Sequence, residues 1–215
     1  MADRKTLLDL SKLQLRGYLK GSKYPPSLKV GIYQNNPQIT VYSNLESAPH
    51  KGIITAGMDF HTLHLIFQLI RDIVNEDGGG EQIIYEIENK YKPRDSKELM
   101  VKNKTIIGKD AEGVVFISVI DSNSDMPKVK FEFGVNYYHG LVRKGGLPPL
   151  TKAEVSARSA VAWADLFQNV VMRVAADTYE PVDYNANKGG GNNNSYGSNK
   201  NSSSHNDVSD DDLVF

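Results

Sequence analysis

Apolar and polar residues alternate along the first third of the chain. Leu28, Val30 and Ile32 share one face of the first alternating run, and residues 38–43 repeat the alternation after an Asn-Pro turn. A period of two is typical of a half-buried strand, and two such runs around a turn indicate a hairpin. Residues 51–57 favour a third strand, so the pattern predicts an antiparallel sheet.

The apolar period then lengthens to that of a helix. Asp59 is a good N-cap, and the triplet Gly78-Gly79-Gly80 marks the end of the helix. The predicted buried positions are Phe60, Leu63, Ile66, Phe67, Leu69, Ile70, Ile73 and Val74. Because the glycine triplet lacks the Gly-Lys-Ser/Thr ending of a phosphate-binding loop, we interpret it as a helix stop.

The chain after the first helix predicts four more strands, at residues 82–91, 103–108, 113–121 and 128–135. The last run alternates most clearly. Its predicted inward side chains are Val129, Phe131, Phe133 and Val135, and its outward ones are Lys128, Lys130 and Glu132. A loop rich in glycine and basic residues follows this run.

A long second helix is predicted after that loop. Thr151 and Glu154 form a capping box at its start, and Pro181 closes it. Its predicted buried stripe is Val155, Ser159, Ala162, Trp163, Leu166, Phe167, Val170 and Val174. Trp163 lies on this stripe, which favours the core or a subunit interface over a base-stacking position.

The element order predicts the fold class. Three strands, a helix, about four strands and a helix indicate an α+β domain with antiparallel sheets and an approximate internal duplication. A small oligonucleotide-binding barrel is the alternative, but two substantial helices count against it. Residues 6–20 fit a helical stripe or an alternating strand equally loosely.

Composition predicts one domain with a tail. The chain has 215 residues, of which 40% are hydrophobic, enough for a single sizeable core. We place a domain at residues 1–182, a linker at 183–206 and an acidic tip at 207–215. The linker is mostly Asn, Gly and Ser, a composition that we expect to be disordered.

Charge is divided unevenly along the chain. The net charge is −1, yet residues 1–182 hold 23 basic against 21 acidic residues, and the first 30 residues are more basic still. The absence of cysteine excludes disulfides and Cys-ligated zinc. The chain begins without the apolar run of a signal peptide. We therefore expect a soluble intracellular protein without membrane partners, in the host cytoplasm if a phage encodes it.

The acidic tip has a distinctive order, three carboxylates followed by three apolar residues, the last of them aromatic. Its residues are Asp210, Asp211, Asp212, Leu213, Val214 and Phe215. The tip resembles the C-terminal tail of bacterial and phage single-stranded DNA-binding proteins, with Val214 where Pro often precedes the Phe. The resemblance implies that these six residues bind replication or recombination proteins, with the carboxylates steering the tip toward a basic surface.

The body of the chain carries a second resemblance. Its element order, with a closing helix introduced by Pro-Leu-Thr-Lys-Ala-Glu, is similar to the plant Whirly proteins and to the positive cofactor four fold over residues 28–178. These families imply binding of single-stranded DNA on antiparallel sheets and assembly of copies through helices. The lysine-glycine-lysine motif of Whirly proteins is matched only by Lys51-Gly52, followed by Ile53.

Basic side chains combined with tyrosines are the candidate DNA-binding residues, because single strands offer both phosphates and base faces. They form three groups: the outward strand positions Lys29, Tyr33, Tyr42, Lys128 and Lys130; Tyr91 with Lys90, Lys92 and Arg94; and Tyr137, Tyr138, Arg143 and Lys144 in the glycine-rich loop. The alternative for each is an ordinary strand tyrosine or a solvated lysine.

We therefore predict a sequence-independent single-stranded DNA-binding protein of a phage or similar replicon. It would coat strands in replication, recombination or repair, recruit partners through its tip, and form homo-oligomers. We predict no enzymatic activity, cofactor or metal, since His61 and His64 lack a recognisable third ligand. The alternative is a structural or assembly protein with a docking tail and no nucleic-acid binding.

Overall fold

The computed structural model of the chain describes residues 14–33, 35–94, 96–135 and 138–179. These residues form two helices and two antiparallel sheets of four strands each, without a closed barrel. The first sheet contains β1 (Leu15–Arg16), β2 (Ser27–Tyr33), β3 (Asn36–Tyr42) and β4 (Ile53–Gly57) in sequential order. The second contains β5 (Ile83–Tyr91), β6 (Met100–Lys109), β7 (Val115–Asp121) and β8 (Phe131–Glu132). The predicted α+β class with antiparallel sheets is confirmed.

The predicted hairpin of the first sheet is present. β2 pairs with β3 so that Val30 lies opposite Ile39 and Leu28 opposite Val41, and these four side chains are buried. On β4, Ile54 and Ala56 complete the same buried face. The inner face of this sheet therefore belongs to the core, as the alternation indicated.

The last predicted strand is much shorter than expected. Pairing is confined to Phe131–Glu132, and Val135 is exposed rather than inward, although Val129, Phe131 and Phe133 are buried. Serine side chains donate hydrogen bonds to backbone carbonyls on both sides of β8. Ser118 Oγ donates to the Val129 carbonyl at 2.7 Å. Ser159 Oγ donates to the Gly134 carbonyl at 2.8 Å. These side-chain bonds replace strand pairing there.

Helix α1 (Phe60–Asn75) is held at both ends by side chains. Asp59 Oδ1 accepts from the Thr62 N–H at 2.6 Å and caps the first turn. At the other end, Lys109 Nζ donates to the carbonyls of Ile73, Val74 and Glu76, so a positive charge lies where the helix dipole is negative. Five apolar side chains of α1 are buried: Leu63, Ile66, Phe67, Ile70 and Ile73.

Helix α2 (Lys152–Thr178) begins with the predicted capping box, but its buried stripe differs from the predicted one. Ala162 and Leu166 are exposed. The buried residues are Ser156, Ala160, Trp163, Ala164, Phe167 and Val171. Three of them, Ser156, Ala160 and Ala164, have small side chains that hydrophobicity ranks low. Ser156 Oγ accepts from the Val115 N–H at 2.9 Å, which requires a close approach of helix and sheet. Small side chains permit that approach, so they replace larger ones on the buried side.

Trp163 lies in the core, in agreement with one of its two predicted positions. Its ring centre lies 4.6 Å from Phe167, 5.4 Å from Phe133 and 5.8 Å from Phe67. This aromatic cluster joins α1, α2 and the segment after β8. Neither described helix has an apolar stretch long enough to cross a membrane. The predicted linker 183–206 and tip 207–215 lie outside the described residues.

Candidate nucleic-acid interface

The outer face of the first sheet, which we call the first-sheet face, collects three of the predicted residues. Because Leu28, Val30 and Ile32 point inward, the alternate side chains of β2 point outward, and the strand register places their neighbours beside them. The strand residues of this face are Arg16, Ser27, Lys29, Gly31, Tyr33, Asn36, Gln38, Thr40, Tyr42, Ile53, Thr55 and Gly57. None of them is acidic.

Lys29 and Tyr42 are in direct contact on this face. Lys29 Nζ lies 5.0 Å from the centre of the Tyr42 ring, within the range of a cation–π interaction. A positive charge and an aromatic ring are thus held side by side on adjacent strands. Tyr33 lies at the other end of the face, and 58% of its surface is exposed.

Arg16 is a residue of this face that sequence reasoning missed. It lies opposite Ser27 in the β1–β2 pair and is exposed. β1 has only two residues, so no alternation identifies it as a strand. The strongly basic first 30 residues were the only signal in the sequence that a cation would lie here.

The loop between β1 and β2 adds further exposed groups at the Arg16 end of the sheet. Tyr18 and Tyr24 are both strongly exposed, and Lys23 Nζ lies 5.8 Å from the Tyr24 ring centre. Lys23 also forms a 3.5 Å ion pair with Glu46, in which both side chains are mostly exposed. Such a pair is weak, so Lys23 remains accessible to another anion.

Lys51 lies in a tight turn directly before β4. His50 and Lys51 have φ of 50° and 56°, and Gly52 has φ of 65°, so three successive residues are left-handed. A Cβ atom on Gly52 would lie 1.8 Å from Ser43 Oγ, which makes glycine necessary there. The turn holds exposed Lys51 beside Ile53, which pairs with Tyr42 at the edge of the first-sheet face.

Lys130 lies on the outer face of the second sheet and is already neutralised. Its Nζ lies 2.7 Å from Asp110 and 3.4 Å from Glu132, and 4.6 Å from the Phe116 ring centre. Burial alone would raise the pKa of Asp110, but hydrogen bonds from Lys130 and the Val114 N–H outweigh it and leave that pKa lowered. A phosphate would have to displace these carboxylates to reach Lys130.

Carboxylates and lysines alternate over the rest of this outer face. Lys104 Nζ lies 2.8 Å from Glu86 and 3.1 Å from Glu88, and Lys90 lies 3.1 Å from Glu88. Hydrogen bonds from Lys90 and Lys104 lower the pKa of Glu88, which keeps it ionised. The predicted residue Lys128 is exposed on the segment that leads to this face, where fixed negative charge disfavours a nucleic-acid backbone.

The glycine-rich loop is anchored to α2 through Arg143. Arg143 Nη2 donates to Glu154 Oε1 at 2.6 Å, and Glu154 Oε2 accepts from the Thr151 N–H. The bond from the Thr151 N–H, and after it the bond from Arg143, lowers the pKa of Glu154. Arg143 therefore has a structural partner, whereas Tyr138 and Lys144 are exposed. Tyr137 lies outside the described residues, as do Asp210, Asp211, Asp212, Leu213, Val214 and Phe215.

Tyr91 lies on the hairpin formed by β5 and β6, where it pairs with Met100, and both are exposed.

No group of three His, Cys, Asp or Glu side chains within the described parts of the chain could hold a metal ion. His64 instead lies 3.2 Å from the Gln68 amide nitrogen. Searches with this chain against protein-family models, curated proteins and solved structures give no match.

Proposed function

We propose that this chain binds single-stranded DNA without sequence preference and coats exposed strands during replication, recombination or repair. The observation that carries this proposal is the first-sheet face, which groups Arg16, Lys29, Tyr33 and Tyr42 among strand residues without a carboxylate. Basic side chains neutralise phosphates and tyrosine rings stack on bases, neither of which depends on base identity. The proposal involves no catalysis and no cofactor.

The two outer faces favour different partners. On the first-sheet face, Lys29 and Tyr42 place a charge and a ring within 5.0 Å, a spacing suited to one nucleotide's phosphate and base. On the second sheet, Lys104 and Lys130 are each paired with two carboxylates. A DNA strand bound there would break these ion pairs. We therefore assign the single-stranded DNA to the first-sheet face and not to Lys128 or Lys130.

Single strands should bind much more tightly than duplex of the same length, because a duplex hides its base faces from tyrosine. Fluorescence polarisation with labelled single-stranded and duplex oligonucleotides over a salt series measures this difference. The logarithm of affinity for single strands should fall with the logarithm of salt, by about 0.7 for each neutralised phosphate. Equal affinity for both forms, or no binding at micromolar protein, would favour an assembly protein with a docking tail instead.

We further propose that residues 207–215 recruit replication or recombination proteins. The support is their order, with Asp210, Asp211 and Asp212 before Leu213, Val214 and Phe215, behind a linker of Asn, Gly and Ser. Charged residues steer an encounter, whereas a buried aromatic side chain supplies most of the affinity. The tether lets one copy hold a strand and a partner together.

Replacing Phe215 with alanine should abolish partner capture while leaving single-strand affinity unchanged. The substitution removes the aromatic anchor and preserves all the tip carboxylates. Pull-down of a replication polymerase, helicase or primase with the variant and with the unsubstituted chain measures the effect, and Ser203→Ala in the linker serves as the control. Equal capture by Phe215→Ala and the unsubstituted chain would reduce the tip to a solubilising segment.

We also propose that the domain is a Whirly-like duplication that assembles into homo-oligomers. Its support is the order of four strands and a helix, occurring twice among the described elements. Leu65, Leu166 and Met172 are exposed on the two helices, on the layer through which Whirly-like copies would associate. Assembly through Lys51-Gly52 is not part of this proposal, since Lys51 lies beside the first-sheet face.

A further inference from the structure

The hairpin of β5 and β6 ends in an arm, residues 90–94 and 96–102, that carries another set of basic and apolar side chains. Lys92, Arg94, Lys97 and Lys102 are exposed there, and none pairs with a carboxylate of the described residues. The exposed apolar side chains are Tyr91, Leu99 and Met100. Arg16, Lys29, Tyr33 and Tyr42 give the first-sheet face a similar combination of cations and aromatic rings.

The base of the hairpin arm is fastened to the first sheet. β4 is the edge strand of that sheet, and its outward carbonyls are taken by two asparagines of the second sheet. Asn103 Nδ2 donates to the Thr55 carbonyl at 3.0 Å, and Asn89 Nδ2 donates to the Gly57 carbonyl at 2.7 Å. The arm therefore starts at the Gly57 end of the first sheet.

That end is also where Tyr33 lies. Gly57 is opposite Gln38 on β3, and Gln38 is opposite Gly31, two residues before Tyr33 on β2. A single strand of DNA that crosses the first-sheet face from Tyr42 to Tyr33 consequently reaches the base of the arm where it leaves the sheet. The continuity follows from register and hydrogen bonds alone.

A β-bulge sets the direction of the arm. Asn89 pairs with Asn103 and Lys90 with Val101, so Lys102 has no residue opposite it. A bulge bends and twists its strand, so the arm departs from the regular plane of the second sheet at this point. Ser122 fixes the base, because its Oγ donates to the Val101 carbonyl at 2.6 Å and its N–H donates to the Lys102 carbonyl at 3.0 Å.

We propose that the hairpin arm is a second contact region for the same single strand, which passes Tyr33 and continues along Tyr91, Lys92 and Arg94. This inference rests on the proposed function and adds the path of the strand to it. Lys92, Arg94 and Lys97 contact phosphates, and Tyr91 stacks on a base. The arm thereby lengthens the stretch of nucleic acid that one copy covers.

The test compares oligothymidines of about 5 and about 15 nucleotides, near the limits of site size for compact single-strand-binding domains. Tyr91→Ala should weaken binding of the longer oligonucleotide by about 5- to 150-fold, the range for one stacked base, and change the shorter by less than about twofold. The double substitution Lys92→Ala and Arg94→Ala should lower the salt slope by about 1–2 on the longer oligonucleotide only.

The matched control removes two exposed charges from α2, by Arg158→Ala with Arg173→Ala. Arm variants that behave like this control on the longer oligonucleotide overturn the inference, as do equal losses on both lengths. If wild-type protein binds neither oligonucleotide, the proposed function fails first. Sedimentation velocity tests whether the arm binds a second copy of the chain instead. If the double variant Lys92→Ala and Arg94→Ala has a different oligomeric mass from the unsubstituted protein, the arm is a contact between copies, and the proposed path of the DNA strand is refuted.

Discussion

Replacing Tyr33 with alanine should weaken single-strand binding by about 5- to 150-fold, because a base stacked on an aromatic side chain is worth about 1–3 kcal/mol. Tyr42→Ala should produce a loss in the same range. The two rings lie at opposite ends of strands β2 and β3, roughly 20 Å apart at 3.3–3.4 Å per residue. At that separation the two losses should add, and the double variant should lose most of the measurable affinity.

Phenylalanine provides the matched control. Tyr33→Phe and Tyr42→Phe keep the ring and remove only the hydroxyl, so both should retain affinity if stacking is the contribution. Fluorescence polarisation at fixed salt measures the four single variants. Alanine and phenylalanine variants with the same affinity would show that neither ring stacks on a base.

Charges on the same face should act differently from the rings. Arg16→Ala and Lys29→Ala should each lower the salt slope by about 0.7, because each removes one phosphate contact. Lys130→Ala is the paired comparison, since Lys130 is neutralised by Asp110 and Glu132 and should leave the slope unchanged. If Lys130→Ala changed the salt slope more than Lys29→Ala did, the DNA strand would have to be assigned to the second sheet.

The fold was predictable where short-range sequence rules decide the local structure. The β2–β3 hairpin, the Asp59 cap and the Thr151 capping box each follow from short-range rules, and each is present. β8 was predicted too long because alternation reports which side chains are buried and not which backbone groups pair. Ser118 on β7 and Ser159 on α2 donate hydrogen bonds to the backbone carbonyls beside β8 instead.

The site was predictable only in part, for a related reason. Residue type and the alternation of apolar and polar positions indicate that Lys29 and Lys130 both point outward. They do not identify the residues that lie beside each lysine on the sheet. Tyr42 is a neighbour of Lys29, whereas Asp110 and Glu132 are neighbours of Lys130. These neighbours are set by the tertiary structure, which the alternation does not report. Arg16 required the same information, because β1 is too short to show a period.

The aromatic cluster at Trp163 should contribute the largest single share of stability. Its ring is almost completely buried among Phe67, Phe133 and Phe167, and truncating a buried aromatic residue to alanine typically costs about 3–5 kcal/mol. The whole stability of a domain is often only about 5–15 kcal/mol, so Trp163→Ala should bring the protein close to unfolding. Urea unfolding followed by circular dichroism measures the loss, since the substitution removes the only tryptophan.

Trp163→Phe separates the ring from its polar atom. The indole Nε1 is buried without a hydrogen-bond partner among the described residues, a state that costs about 1–3 kcal/mol. Phenylalanine removes that cost and keeps most of the aromatic contact, so it should destabilise far less than alanine. Arg173→Ala on the exposed side of α2 is the control and should change the free energy of unfolding by less than about 0.5 kcal/mol. If Trp163→Ala were as mild as Arg173→Ala, the aromatic cluster would not be the core that joins the two helices to the segment after β8.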